Sequence, residues 1–235
     1  MRSPAPPLPA AFFEKPVLQL TRQLIGCHLV RRHEGQWLVG RIVETEAYAG
    51  CLDPAAHTYR GETQRCRAMF GPPGHAYVYF TYGNHHCVNV TARRGDIAAA
   101  VLLRAAEPIL GLDAMRVLRA AASTERLGQA LLAGRADREL CNGPGKLAAA
   151  FGLDLSHDGL RLDRSSDLWI AAGTPAKRVD WTPRIGLGQN PAAPWLWRCV
   201  DSATRGATRV PGTWPRANRP TPTLGALRQA GGTAE

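Results

Sequence analysis

The chain has 235 residues, enough for one large domain or two small ones, and the lack of an internal linker favours one. Its formal net charge of +10 is carried almost wholly by arginine, the lysines being Lys15, Lys146 and Lys177, and it points to an acidic partner without choosing one. No run of about twenty apolar residues suits a membrane span and residues 1–7 lack the core of a signal peptide, so a soluble, cytoplasmic protein is expected.

Residues 1–12, rich in proline and alanine, read as a flexible start. In residues 16–24, Val17, Leu20 and Leu24 recur at helical spacing, and Gly26 stops the helix. Residues 27–32 and 37–48 read as two strands around a polar turn at 33–36. The second strand ends in Val43-Glu44-Thr45-Glu46-Ala47-Tyr48. Alternation puts Glu44, Glu46 and Tyr48 on one face and Val43, Thr45 and Ala47 on the other. Taken alone, this is either a half-exposed strand with solvated glutamates or a catalytic base beside a stacking ring.

Residues 49–74 hold turn formers and charges with little periodicity, and structured loops of that length often carry function. Two β-rich runs flank Tyr82-Gly83-Asn84-His85 and predict a hairpin. Tyr77 and Tyr79 share a face of its first strand. Tyr82 lies at the tip with nothing in the hairpin to pack on, as an ordinary turn residue or as a wedge that enters a base stack. A strand over 98–105, helices over 113–121 and 123–133, a break at Gly143-Pro144-Gly145-Lys146, a helix over 147–151 and short strands over 160–163 and 168–172 follow. The GPGK run is no phosphate loop, because Leu147 follows the lysine and the glycine spacing is short.

Beyond Ser202, Arg205, Arg209, Arg216, Arg219 and Arg228 lie among Pro, Gly, Ala and Thr. Residues 203–235 therefore read as a basic, disordered tail that adds salt-sensitive attraction to a polyanion. The six cysteines are scattered, with no CxxC pair, and read as free thiols. His85-His86-Cys87 makes a poor metal site, since adjacent strand residues point to opposite faces and no second cluster completes the ligands. No metal and no cofactor are expected.

Nine stretches then keep their order over roughly residues 12–200: ETEAY at 44–48, Asp53-x-x-x-His57, Thr63-x-Arg65, Met69-Phe70, Pro73-Gly74, YVYFTYGN at 77–84, Val88-Asn89, VLLRAAEP at 101–108 and GPGKL at 143–147. Together they resemble the alkyladenine (3-methyladenine) DNA glycosylase family. The resemblance implies a single α+β domain, residues 13–202, on a curved antiparallel β-sheet with surrounding helices. It implies hydrolysis of the N-glycosidic bond of a damaged purine in double-stranded DNA, by a monomer, nucleoid-associated if bacterial.

Carried over residue by residue, Glu46 is similar to the general base that activates water, and Arg104 to the residue that helps place that water. Tyr48 looks like the ring on one face of the extruded base, with His57 and Tyr79 on the other. Tyr82 matches the wedge, and Asn89 the residue that crowds the amino group of normal guanine. Arg65 and Arg67 are candidates for phosphate contact. The residue types suit the reaction: an oxocarbenium-like state needs a carboxylate near the sugar, and aromatic stacking tolerates many lesions, so selection falls to exclusion. Cleaving the backbone as well needs an amine, and no lysine lies between Lys15 and Lys146, so a monofunctional enzyme that leaves an abasic site is expected.

Two departures concern loops rather than base-handling residues. Cys66 stands where the family commonly has Asn, and Trp195-Leu196-Trp197-Arg198 differs from the usual arginine-aromatic ending. Two rivals remain: a binding module of the same fold that recognises damaged DNA without cutting it, and a zinc hydrolase built on His57, His85, His86 and Cys87.

Overall fold

The computed structural model describes residues 3–92, 95, 97–134, 137–204, 206–208 and 220–230. Helix α1 (Val17–Gln23) leads to strands β1 (His28–His33) and β2 (Gln36–Tyr48). The turn between them is only Glu34-Gly35, both at positive φ, tighter than the polar stretch 33–36 suggests. The predicted hairpin is present as β3 (Ala76–Thr81) and β4 (His85–Thr91). Strand β5 (Ala100–Leu110) is followed by α2 (Leu112–Ala121), α3 (Glu125–Leu132) and α4 (Pro144–Ala150). Strands β6 (Leu168–Ala171), β7 (Val179–Thr182) and β8 (Arg198–Asp201) and helix α5 (Leu224–Ala230) complete the order.

Several boundaries differ from the sequence reading for local reasons. β5 runs on through Pro108, because β4 flanks it only as far as Leu102 and a missing N–H is tolerated where a strand edge is open. α4 begins inside GPGK, with Pro144 in the first turn, where its fixed φ and absent donor cost nothing. Residues 160–163 form isolated bridges, His75 with Arg161 and Asp163 with Leu168, in place of a strand.

All strand pairings are antiparallel, in the order β3-β4-β5-β2-β1-β6, with β8 joining β2 to β7. β2 is the spine. One edge pairs with β5 throughout, while the other pairs first with β1 and then, at Glu44–Glu46, with β8. One sheet face packs on the helices through Leu20, Leu29, Leu38, Ile42, Val101, Leu103, Leu147 and Phe151. The opposite face, bearing Tyr77, Ala100 and Val200, is covered by the long loops.

A pair of register breaks revises the face assignment of the ETEAY strand. Ile42 pairs with Ala106, Glu44 with Ala105 and Thr45 with Leu103, which leaves Val43 and Arg104 without partners across the ladder. Such bulges bend a strand and turn side chains over. Val43 therefore leaves the side of Thr45 and Ala47 and packs with Ala105, Val200 and Ala207. Arg104 shares the carboxylate side with Leu102 by ordinary alternation, and the opposite break turns Ala105 away from the side of Leu103 to pack with Val43.

Both termini are more engaged than their composition suggests. Pro7 bridges Ala171, the Leu8 amide donates to the Ile170 carbonyl, and Trp169 Nε1 donates to Ala5 O, so residues 5–8 extend the β6 edge. In the tail, Ala207 is buried, the Leu196 amide donates to Thr221 O, and Leu224 and Leu227 pack on the core. Residues 206–208 and 220–230 are thus folded onto the domain. Arg205, Arg209, Arg216 and Arg219 lie outside the described residues. Among the described residues, no helix is long and apolar enough to cross a membrane.

Candidate active site

β2, β3, β4 and β5 each present alternate side chains to the loop-covered face, and together they wall a cavity of about 210 Å³. Tyr48 comes from β2, Tyr77 and Tyr79 from β3, Cys87 and Asn89 from β4, and Leu102 and Arg104 from β5. His57 enters from the loop after β2, and Ile185 and Gly186 from the loop after β7. Six of the predicted residues, Tyr48, His57, Tyr79, Tyr82, Asn89 and Arg104, therefore meet at one cavity, with Glu46 behind its wall.

Glu46 is fully buried. Its Oε1 accepts from the Ile185 amide at 2.8 Å and pairs with Arg104 Nη1 at 3.2 Å, while its Oε2 accepts from the Tyr48 hydroxyl at 2.9 Å. An ionised carboxylate offers about four acceptor positions. Three are used, and one is left on Oε2. Burial alone would lower the Arg104 pKa, but Glu46 and Glu44 beside it lift it above the ordinary arginine value, so this guanidinium stays charged. Burial and the Glu46 charge together push the Tyr48 hydroxyl well above its ordinary value, which keeps it a donor.

The aromatic walls are fixed by Arg184 from behind Tyr48 and by contacts among the rings on the other side. Arg184 lies 4.8 Å from the Tyr48 ring centroid and holds Asp53 through Nη1 at 2.6 Å and Nη2 at 2.9 Å, a fully buried bidentate pair. On the other side, His57 Nδ1 shares a hydrogen bond of 2.7 Å with the Tyr77 hydroxyl. His57 and Tyr79 meet edge to face, with centroids 4.7 Å apart and planes at 82°. A flat ligand stacked on one of them would meet the other edge-on. The Asn89 amide nitrogen donates to Tyr77 O, which fixes its side chain at the floor.

Tyr82 is 83% exposed at the hairpin tip, at the cavity mouth, with φ of +51°. Gly83 beside it, at +70°, suits such a turn, whereas a tyrosine there costs about 1 to 3 kcal/mol. Burial does not offset that cost. Arg65 donates to Phe80 O at 2.9 Å and lies 5.2 Å from the Tyr79 ring, so it braces the hairpin; Arg67 is exposed, 3.4 Å from Glu62. Cys66 replaces an amide by letting its sulfur accept from the Thr63 amide at 3.3 Å.

Three residues that complete the site were missed in the sequence reading: Arg184, Arg198 and Asp53 in its pairing role. The alternation of Trp197 and Cys199, which join the core, with Arg198 and Val200 was the available signal for Arg198. The zinc rival loses its ligand set, for among the described residues no group of three or more His, Cys, Asp or Glu could hold a metal ion. Burial raises the Cys87 thiol above its ordinary value, which leaves it a poor nucleophile.

Fold and cavity first define a class: an antiparallel α+β domain with an aromatic slot for a flat group beside an arginine-held carboxylate. The profile of the methylpurine-DNA glycosylase family matches residues 11–203. A Carboxydothermus hydrogenoformans protein is 43% identical over 190 residues, covering 80% of this chain and 92% of the relative. A Burkholderia lata protein is 40% identical over 199 residues, with 83% and 89% covered, and one from Chlorobaculum parvum 42% over 191, with 80% and 85% covered. Each bears the name "Putative 3-methyladenine DNA glycosylase". The chain belongs to the methylpurine-DNA glycosylase family, a family of DNA repair glycosylases directed at alkylation damage.

Proposed function

We propose that this chain is a monofunctional glycosylase that flips damaged purines out of double-stranded DNA, among them 3-methyladenine, 7-methylguanine, hypoxanthine and ethenoadenine, and hydrolyses the N-glycosidic bond. The observation that carries this reading is the buried Glu46, held on three sides with one acceptor position left, next to an aromatic slot. Glu46 Oε2 takes a proton from water as the C1′–O bond forms, and the C1′–N bond breaks with its electron pair going to the base. Stacking on Tyr48 and on one ring of the opposite wall supplies about 1 to 3 kcal/mol per base, and Asn89 excludes the guanine amino group. Family membership and the intact carboxylate with its arginine favour this over a binding module that does not cut.

Hydrolysis without strand cleavage fits the placement of the amines. Lys146 Nζ is held by Glu139 and Asn142, Lys15 Nζ by Gln23, and none of Lys15, Lys146 and Lys177 lines the cavity. Incubation of enzyme and lesion duplex with borohydride is therefore expected to trap no covalent adduct; a trapped species would show an amine acting on C1′.

Tyr82→Ser is expected to weaken binding to lesion duplex at least tenfold, about the loss of one stacked ring, with no fall in thermal stability. Equal affinity of mutant and parent in a titration would remove the wedge role.

Burial first, and Arg65 second, hold the His57 pKa below its ordinary value, so the ring is neutral at neutral pH. As pH falls through that lowered value the imidazole gains charge and repels a cationic base. Single-turnover excision of 7-methylguanine is expected to decline more steeply on acidification than that of neutral hypoxanthine; parallel profiles would contradict it.

A further inference from the structure

Glu44, the other carboxylate of the ETEAY strand, is fully buried and meets neither the cavity nor solvent. Its Oε1 accepts from Arg104 Nε at 2.7 Å and from Arg198 Nη1 at 2.9 Å, and its Oε2 accepts from the Thr208 amide at 2.6 Å. Arg198 also donates to Thr208 O at 3.3 Å, and Ala207 packs against Val43, Ala105 and Val200. Residue 208 lies beyond the 11–203 span that the family profile matches.

From this we infer that Glu44 is a positioning residue for the reaction, and that residues 206–208 form a strap, outside the matched family span, that holds it. The chain of contacts is continuous. Arg104 has a fixed fork of donors: with Nε committed to Glu44, its Nη1 is aimed at Glu46 Oε1. That leaves Oε2 of Glu46 for Tyr48 and water. Two carboxylates on one buried strand would repel each other, and Arg104 and Arg198 balance them with two positive charges. The Thr208 amide holds Oε2 of Glu44, the oxygen that neither arginine bonds. Loss of that donor leaves Glu44 to turn toward its arginines, and Arg104 turns with it.

This inference rests on the proposed role of Glu46, so the test carries Glu46→Gln as a reference. Single-turnover release of hypoxanthine from a duplex is measured for Glu44→Gln, Thr208→Pro and Thr208→Ala, the last keeping the amide that proline removes. Glu44→Gln is expected to lower the maximal rate about 10- to 100-fold, and Thr208→Pro to lower it about tenfold relative to Thr208→Ala, with half-saturation by DNA unchanged in both. A merely structural role would lower melting temperature and leave the maximal rate of the folded fraction intact. If Thr208→Pro does not fold, Glu44→Gln decides alone. Parent-like rates in Glu44→Gln, while Glu46→Gln is inactive, would overturn the positioning role; an active Glu46→Gln would overturn the proposed base and this inference with it.

Discussion

Glu46→Gln is expected to abolish release of hypoxanthine or 3-methyladenine while binding to the lesion duplex persists. The substitution is nearly isosteric, and the amide oxygen can still accept from Arg104 and Ile185. What is lost is an acceptor for the water proton, and with it the negative charge that offsets the oxocarbenium-like state. A positioned base contributes about 10²- to 10⁴-fold on its own. The fall here is expected at the upper end or beyond, because charge stabilisation goes with it. The slot keeps its rings of Tyr48, His57 and Tyr79, and the Gln amide can donate to the Tyr48 hydroxyl in place of the bond that Glu46 accepts, so affinity should move little. Release at the parent rate would remove Glu46 from the chemistry.

Arg184→Met is expected to be the most destabilising single change near the site. It strands the Asp53 carboxylate in a fully buried setting with only the Ala49 and Ala55 amides, at 3.3 and 3.0 Å, as partners. Breaking one side of a buried pair typically costs about 3 to 5 kcal/mol. For a chain of this size that is roughly 10 °C in melting temperature. The Tyr48 ring also loses the cation behind it, and the loop carrying Ile185 loses its anchor to Ala47 O. A second substitution, Asp53→Leu, should recover part of the stability, since two apolar residues bury no unpaired charge. A melting curve that matches the parent for Arg184→Met would mean that the pair does not hold the loop.

The sequence made the local structure and the cavity-lining residues readable for different reasons. The hairpin followed from two β-rich runs around Gly83, and α1 from its helical spacing. The cavity residues followed from nine ordered stretches that resemble a family, since neither the spacing of Glu46 and Arg104 nor that of Tyr48 and Tyr79 brings them together by itself. What stayed hidden was long-range. Arg184 meets Asp53 across 131 positions and Thr208 meets Glu44 across 164. Nothing local marks which of many arginines folds inward. The bulges at Val43 and Arg104 were equally invisible, because strict alternation is the only rule a strand pattern offers, and it placed Val43 on the wrong face. Composition makes the tail look loose because it does not weigh Leu224 and Leu227, the apolar pair that docks on the core.

The central claim is that an intact duplex enters with a damaged purine and leaves with an abasic site. Incubation with a panel of duplexes carrying 3-methyladenine, 7-methylguanine, hypoxanthine or ethenoadenine, followed by direct detection of free base and of strand integrity, tests it most directly. Free damaged base, an uncut strand until alkali is added, and no release from undamaged guanine are expected. Binding to lesion duplex with no base released, or strand cleavage without free base, would contradict it.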